Sequence, residues 1–334
     1  MQAGEKLMNK RIAVLGAGGL GRAAIHILDK KREMRITAIC DREGFAIYDQ
    51  GIHPADIEGL SLKESIKAIP GIGRASKDPL GEVLKLRELY DGIYIGLPNL
   101  PNEFIPNIVK RFIDGGFNGV IVDPLKRTRA MELLFKLDDS VKSKKVTYIT
   151  GAGATPGLLS TAAVIGSVSF TEIESVNIHW GVGIANWEDY KGTIREDIAH
   201  LPEYTVESAQ ALTDAEVDAL LDARGGKLEF SDMEHADDLL LVKAGVVDDM
   251  SQVTVGGVMD TRSAKKPVST TMTITGVTFE GKRASHRFIL GDETSMAANV
   301  VGTGIAYLKR AFWLHERGIY GIFTSADFLP MVVK

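Results

Sequence analysis

The chain lacks the features that mark secreted, membrane and metal-binding proteins. Its 334 residues include one cysteine, Cys40, which excludes an internal disulfide framework. Residues 1–10 lack the apolar core of a signal peptide, and no apolar run reaches the roughly 18 residues that cross a bilayer. The sequence contains no His-Glu-x-x-His, no cysteine pair and no EF-hand loop, so we expect no metal site. Together these absences predict a cytoplasmic, globular protein with no membrane partner.

Basic clusters are also absent, and the placement of charge is more informative than its sum. The net charge is −5, and without a cluster of Lys and Arg no nucleic-acid partner is expected. Residues 186–250, the acidic segment, hold 17 acidic residues against 5 basic ones. Such a segment is either a set of solvated surface helices or a rim that attracts a cationic small-molecule substrate.

The most informative feature that is present is a glycine-rich turn between a short apolar strand and an amphipathic helix. Gly16 would allow the tight turn, Gly18 would let a pyrophosphate approach bare backbone, and Gly21 would let the helix pack closely on the strand. The helix N-terminus offers free N–H groups to a phosphate. The pattern predicts a dinucleotide pocket contacted by Gly16, Ala17, Gly18, Gly19, Leu20 and Gly21.

The acid after the second predicted strand bears on the choice of cofactor. Asp41 follows Gly21 by twenty residues, where a carboxylate can bind a ribose hydroxyl and repel a 2′-phosphate, which favours NAD. Arg42 beside it could attract that phosphate or stack on the adenine, so NADP stays possible. We therefore predict that both residues contact the cofactor and that NAD is preferred.

Strands alternate with helices over the first 150 residues, which predicts a parallel, doubly wound α/β sheet of the Rossmann type. One helix is expected at residues 62–69, in a polar stretch after the second strand. Ligands bind beyond the carboxyl ends of such strands. Because two predicted strands end at Leu97-Pro98 and at Asp123, we expect these three residues to contact the cofactor.

The texture of the sequence changes after residue 150. Short runs rich in β-branched residues at 173–180, 251–257, 270–276 and 283–290 predict a mixed sheet, and so a second, α+β domain. A long helix is expected from Ser295 to Arg317. The predicted organisation is a dinucleotide-binding domain of residues 1–150 and 291–334, with a substrate and dimerisation domain of residues 151–290.

A second strand–glycine–helix junction lies at residues 150–160. Its glycines expose N–H groups where a substrate carboxylate or a nicotinamide could sit, so Gly153, Pro156 and Gly157 are candidate substrate contacts. A domain hinge would need the same glycines, and both interpretations can hold, since domain junctions commonly line ligand sites.

Two residues are candidates for proton transfer. His179 stands at a predicted strand end before a glycine-rich loop, where an imidazole could act as a base, although it could also be a hydrogen-bonded sheet residue. Lys126 follows a strand on the cofactor edge, where a desolvated lysine can act as a base, although it could also lie on a helix surface. Trp180 is a candidate wall of the substrate pocket, or plain core.

The order of five motifs resembles the saccharopine dehydrogenase-like oxidoreductases, among them lysine 6-dehydrogenase and the carboxyspermidine and homospermidine enzymes. The motifs are GAGGLG, GLPNLPNEFI, VDPLKRT, ITGAGATPGLLS and RGIYGIFTSADF. The resemblance implies an NAD(P)-binding domain, a mixed-sheet second domain that forms homodimers, and a C-terminal helix that returns to the first domain. It also implies an NAD(P)-dependent dehydrogenase or reductase that transfers hydride at a C–N centre of an amino-acid or polyamine-like substrate.

Three other functions share these motifs. Bound NAD could be recycled within a synthase or a cyclodeaminase. The chain could instead be a nucleotide-sensing protein without turnover, because fold alone does not establish activity. A hydroxyl-group dehydrogenase of the glucose-fructose oxidoreductase type would use Lys126 with His179.

Overall fold

The structure is a computed structural model that describes residues 9–334. The signal-peptide expectation falls partly on residues 1–8, which lie outside the described residues. The strands are β1 (Lys10–Leu15), β2 (Met34–Cys40), β3 (Gly44–Ile47), β4 (Gly73–Ala75), β5 (Gly92–Ile95), β6 (Val120–Val122), β7 (Thr147–Thr150), β8 (Glu172–Gly183), β9 (Lys227–Phe230), β10 (Val253–Asp260), β11 (Thr270–Val277), β12 (Arg283–Leu290) and β13 (Gly321–Thr324).

Most of the helices are short. They are α1 (Gly19–Asp29), α2 (Pro79–Lys85), α3 (Phe104–Asp114), α4 (Thr128–Phe135), α5 (Asp138–Ser143), α6 (Leu158–Ser167), α7 (Lys191–Ile198), α8 (Val206–Ala211), α9 (Asp214–Ala223), α10 (Asp237–Lys243) and α11 (Met296–His315). No helix between residues 9 and 334 is both long and apolar enough to span a membrane.

The first sheet has eight strands in the order β13-β7-β6-β5-β1-β2-β3-β4. The six from β13 to β2 are parallel, and β3 and β4 add an antiparallel edge. The chain order reverses between β1 and β5, and a crevice at the carboxyl ends of the strands is expected at such a switch point. The Rossmann prediction is confirmed.

The second sheet has five strands in the order β12-β11-β8-β10-β9. β8 pairs in parallel with β10 and antiparallel with β11, so the sheet is mixed, as predicted. One face packs on α6 through buried residues such as Met272 and Ile274. The proposed domain boundaries at residues 150 and 291 stay a prediction.

The long helix α11 belongs to the core of the first sheet. Its residues Ile305, Leu308 and Phe312 are buried with Ile12 and Val14 of β1. β13 follows and pairs with β7 in parallel. Because α11 covers the first sheet, its N-terminal end lies beside the crevice at the carboxyl ends of the strands.

The helix expected at residues 62–69 does not form. This stretch contains only a 3-10 turn, Ile66–Ala68. The reason is a set of side-chain hydrogen bonds: Ser65 caps the N–H of Lys67, and the carboxylate of Asp41 accepts from Ser65 Oγ and from the N–H of Ile66. Such local bonds compete with helix formation.

Candidate functional site

A cleft of about 790 Å³ lies between the carboxyl edge of the first sheet and the second sheet. Both sheets supply its walls. Of the residues that the sequence proposed, the cleft is lined by Gly16, Ala17, Gly18, Gly19, Leu20, Asp41, Arg42, Leu97, Pro98, Lys126, Gly153 and Trp180. Five others do not line it: Gly21, Asp123, Pro156, Gly157 and His179.

The glycine turn is built by close backbone approach. Gly16 has φ +105°, and a Cβ there would stand 2.4 Å from the carbonyl oxygen of Gly96. A Cβ at Gly21 would stand 1.8 Å from the carbonyl oxygen of Gly16, so Gly21 packs behind the turn and does not line the cleft. A Cβ at Gly18 would meet no atom within 4 Å. Gly18 therefore presents bare backbone to the cleft.

Asp41 holds its own loop together. Its Oδ1 accepts hydrogen bonds from the N–H groups of Glu43 and Gly44 and from Ser65 Oγ, at 2.8, 3.0 and 2.9 Å. Its Oδ2 accepts one hydrogen bond, 2.7 Å from the N–H of Ile66. The carboxylate reaches the cleft wall with one oxygen that can accept a further donor, so the structure leaves room for the predicted ribose contact.

Asp123 ends β6 but turns into the protein. It is fully buried and accepts hydrogen bonds from Thr150 Oγ1 at 2.8 Å, from the N–H groups of Leu125 and Gly151 at 3.0 and 3.1 Å, and from the hydroxyl of Tyr148. Burial raises the pKa of Asp123, although these donors oppose the rise. This carboxyl ties β6 to β7, and the structure does not bring the predicted cofactor contact to the cleft.

Two predicted substrate contacts also lie behind the wall. α6 begins at Leu158, so Pro156 precedes the helix and donates nothing to the cleft; its carbonyl accepts the N–H of Gly153 at 2.8 Å. Gly157 has φ +136°, and a Cβ there would stand 1.7 Å from the carbonyl oxygen of Gly153. Gly157 therefore allows the chain to fold back on itself, and of these three residues only Gly153 lines the cleft.

His179 is not at a strand end, because β8 continues to Gly183. His179 stands in the middle of the second sheet, opposite Gly256 of β10 and Thr271 of β11. Alternate side chains of a strand point to opposite faces, so His179 faces away from its neighbour Trp180, which lines the cleft. The structure therefore places this predicted catalytic residue outside the cleft.

Lys126 lies in the cleft with two buried carboxylates that the sequence analysis missed. Its Nζ is 2.8 Å from Oδ1 of Asp197 and 3.8 Å from Oε2 of Glu196, both on α7. Burial acts to lower the pKa of Lys126, but the charges of Asp197 and Glu196 outweigh it and raise the pKa above its ordinary value. The ammonium form of Lys126 is therefore favoured.

A buried arginine next to this lysine holds several half-buried polar groups. Arg127 contacts Glu234 at 2.6 Å, Asn102 at 3.0 Å and His200 Nε2 at 3.1 Å. Burial, with the charges of Lys126 and Arg127, lowers the pKa of His200 to about 3, so this imidazole is neutral. The sequence signal for these groups was the acidic segment, which contains Glu196, Asp197, His200 and Glu234.

Most other acids of that segment lie on the surface. Asp218 and Asp222 pair with Arg262, and Asp214 pairs with Lys191 and Arg195. The interpretation as solvated surface helices therefore holds for most of the segment, and the attraction of a cationic substrate stays a prediction. Its solvated helices carry most of the charge, and α7 brings two carboxylates to the cleft.

The remaining wall is largely apolar. Besides Trp180 it contains Leu97, Phe104, Met233, Met259, Leu290, Met296 and Val300. Lys266 also lines the cleft, and its Nζ donates to the carbonyl of Gly291 at 2.7 Å. Among residues 9–334 no group of three or more metal-binding side chains is present.

No family model matches the chain. A curated relative, (S)-8-amino-7-oxononanoate synthase BioU from Haloferax mediterranei, is 39% identical over 346 residues of alignment, which cover 95% of this chain and 98% of the relative. The chain belongs to the family of this enzyme. The predicted saccharopine dehydrogenase-like membership is wrong, since this match, spanning both sheets, names another class of enzyme.

Solved dehydrogenases share the fold at low identity. An engineered D-amino acid dehydrogenase bound to NADP+ has a TM-score of 0.58 at 17% identity, covering 96% of this chain and 94% of that chain. Saccharopine dehydrogenase (L-Glu forming) from Saccharomyces cerevisiae has a TM-score of 0.56 at 12% identity, covering 95% and 94%. At these identities the likeness is one of fold alone.

The match to the synthase from Haloferax mediterranei also contradicts the predicted activity. The expected activity was dehydrogenation or reduction at a C–N centre of an amino-acid or polyamine-like substrate, whereas the relative is named as a synthase. The hydroxyl-group dehydrogenase alternative also loses its proposed Lys126–His179 pair, because His179 faces the other side of the sheet. Membership of an enzyme family likewise removes the support for a sensor without turnover.

Proposed function

We propose that this protein catalyses the reaction of its relative: it is an 8-amino-7-oxononanoate synthase whose cleft holds a nicotinamide dinucleotide beside the amino-oxo acid. The observation that carries the proposal is the position of Lys126. Its amine shares one cleft with the glycine turn and lies beside two buried carboxylates. The match to the relative spans the strands and helices that supply every wall of this cleft.

The glycine turn fits a dinucleotide. Gly18 presents open backbone, and α1 begins at Gly19 with no side chain that caps its free N–H groups. We assign the pyrophosphate to residues 16–20. When bound, the nicotinamide supplies a hydride acceptor or donor. The other steps belong to side chains of the protein.

Within this proposal we favour NAD over NADP. The carboxylate of Asp41 stands at the end of β2 on the cleft wall, where its charge opposes a 2′-phosphate. Arg42, exposed beside it, supports binding of the phosphorylated nucleotide with lower affinity.

The walls suit the two ends of the product. 8-Amino-7-oxononanoate is a nine-carbon carboxylate with a ketone and an amine on neighbouring carbons near its other end. The apolar wall around Trp180 and Met259 suits the carbon chain. Lys266 contacts a carbonyl and a hydroxyl, Gly291 O and Thr294 Oγ1, and its charge can bind the carboxylate of this product.

Lys126 is the proposed catalytic residue. In its ammonium form it can donate a proton to the ketone oxygen. Asp197 lies 2.8 Å away and can accept a proton from the ammonium group, which leaves a free amine. In the direction of synthesis, water adds to an imine between this amine and C7, and departure of the Lys126 amine leaves the ketone of 8-amino-7-oxononanoate.

In the experiment, purified protein is incubated with 8-amino-7-oxononanoate in four mixtures, which contain NAD, NADH, NADP or NADPH, and in a fifth without nucleotide. The amount of 8-amino-7-oxononanoate is then measured by mass spectrometry. We expect its amount to change only when a nucleotide is present, and not with Lys126→Arg. Lys144→Arg, an exposed lysine outside the cleft, is the matched control. Borohydride added during the reaction would fix an imine on Lys126. An unchanged amount with every nucleotide would contradict the proposed function.

The proposed assembly is a homodimer formed through the second sheet. Its edge strand β12 is exposed along most of its length, and Phe288 and Ile289 are 41% and 55% exposed. Large exposed apolar residues on a sheet edge support pairing with another copy. Light scattering would test this, with Ile289→Asp expected to yield monomers and Ile165→Asp, on α6, as a comparison.

A further inference from the structure

Two buried carboxylates beside Lys126 have oxygens without a hydrogen-bond partner. They are Oε1 of Glu196 and Oδ2 of Asp197, and neither has a partner within residues 9–334. The two residues are 2% and 1% exposed, and both line the cleft. Buried polar atoms are rarely left without partners, because each then loses its hydration without compensation. These oxygens therefore need donors that residues 9–334 do not supply.

The charges around Lys126 do not balance. Asp197 takes the close contact with the ammonium group at 2.8 Å, and Glu196 stands farther off at 3.8 Å. The nearby Arg127 is engaged by Glu234 at 2.6 Å. One lysine thus faces two carboxylates, and among residues 9–334 Glu196 has no closer cation than the lysine that it shares with Asp197.

A hydrogen bond from Asn99, which follows β5 of the first sheet, orients the side chain of Glu196. Its Oε2 accepts a hydrogen bond from Asn99 Nδ2 at 3.0 Å, just beyond Leu97 and Pro98 at the end of β5. This contact crosses the cleft between the two sheets and leaves Oε1 as the free oxygen. Glu196 is therefore held in a fixed orientation with one free oxygen and an uncompensated charge. Such a carboxylate can accept a hydrogen bond from a positively charged N–H donor.

We propose that Glu196, with Asp197 beside it, binds a protonated primary amine of the substrate in the cleft. An ammonium group offers three donors and one positive charge, which matches two free oxygens and one uncompensated carboxylate. A neutral hydroxyl would supply a donor but no charge. The assignment of this amine as the 8-amino group rests on the proposed function, and the amine site itself does not.

The test uses simple probes, so that it does not depend on turnover. Binding of n-heptylamine and n-heptanol to the full-length protein is measured by calorimetry. We expect the wild type to prefer the amine by at least ten-fold and Glu196→Gln, which keeps the shape and removes the charge, to lose most of that preference. Asp248→Asn removes one charge from an exposed position of the same acidic segment and should keep the preference.

The outcomes separate this inference from the proposed function. Equal binding of both probes by the wild type, or an unchanged preference in Glu196→Gln, would overturn the amine site. A clear amine preference without binding of 8-amino-7-oxononanoate would leave the amine site standing and contradict the proposed function. Glu196→Met, of similar size, serves as a second variant, and thermal melting of both variants shows whether they are folded.

Discussion

The ring of Tyr190 lies directly over Gly19 of the glycine turn: a Cβ at Gly19 would stand 2.8 Å from Cε1 and 3.1 Å from Cζ of this ring. Tyr190 ends a 3-10 turn that belongs to the acidic segment and follows β8. Glu188 of the same turn forms an ion pair with Lys63 on the first sheet's side of the cleft. The segment after β8 therefore covers the place where the pyrophosphate is proposed to bind.

Removing this ring should open the nucleotide site. We expect Tyr190→Ala to raise both the association and the dissociation rate of NADH several-fold, because the ring narrows the entrance above Gly19. Stopped-flow fluorescence of NADH measures both rates. Tyr48→Ala, at an exposed position outside the cleft, should leave them unchanged. Unaltered rates in Tyr190→Ala would show that the ring does not limit entry.

Two glycines of the turn should respond to alanine in opposite ways. Gly18→Ala meets no atom within 4 Å, so the fold should tolerate it while the methyl group reduces NADH affinity by at least ten-fold. Gly21→Ala would bring a methyl group 1.8 Å from the carbonyl oxygen of Gly16, and we expect a loss of about 3 kcal/mol in the free energy of unfolding. Urea unfolding and nucleotide titration of both variants test this pair.

Lys126→Met should destabilise the protein as well as inactivate it. It removes the cation beside Asp197 and Glu196, and breaking a buried ion pair typically costs about 3 to 5 kcal/mol. Because the lysine side chain is 20% exposed, we expect about 3 kcal/mol by urea unfolding. The double variant with Asp197→Asn should recover part of this loss. A change below about 1 kcal/mol in Lys126→Met would contradict the assigned charge balance.

Glu196→Gln should change the dependence of stability on pH. Burial raises the pKa of Glu196, so the folded protein holds this proton more tightly than the unfolded chain does. The resulting stabilisation is present at low pH and is lost as the pH rises from the unfolded value, about 4.3, through the raised folded value. The variant cannot ionise, so it should match the wild type at pH 4 and exceed it at pH 8.

The size of this effect should be of the order of 1 kcal/mol. Chemical unfolding of both proteins across this pH range measures it. Glu229→Gln, at an exposed position of β9, is the comparison and should show no such difference. If the wild type were instead the more stable protein at pH 8, Glu196 would be compensated by a cation.

Arg42→Ala should lower the affinity for NADPH more than the affinity for NADH. If Arg42 is the group that admits a 2′-phosphate, the affinity for NADPH should fall about ten-fold and that for NADH less than two-fold. Arg74→Ala, an exposed arginine of β4 outside the cleft, should affect neither. Fluorescence titration gives the four affinities, and a wild-type preference for NADPH would reverse the proposed choice of NAD.

Local sequence rules predicted the parts of the site that depend on local geometry. The turn at residues 16–20 lines the cleft because a strand, closely spaced glycines and a helix leave few other conformations. Lys126 and Leu97 line it because parallel strands end on one edge. The position of Asp123 after a strand did not show that its side chain turns away from the cleft. That direction depends on hydrogen bonds from Tyr148 and Thr150 of the neighbouring strand.

The features that the sequence did not predict depend on contacts between residues that are far apart in the chain. β8 runs past Trp180 to Gly183 because its pairing with β10 continues to the pair of Gly183 with Asp260. The acidic composition indicated that carboxylates mattered. It did not indicate that Glu196 and Asp197 face Lys126, because that depends on how α7 packs across the cleft.

Because β13 pairs with β7, the first sheet is completed later in synthesis than the second sheet. These strands are parallel neighbours, and all five strands of the second sheet lie between them in the chain. During synthesis the second sheet therefore has all its strands before residues 321–324 are made. Until then β7 presents an unpaired edge, which is a site for wrong pairing. A chain cut after residue 290 would keep the complete second sheet and leave that edge open permanently.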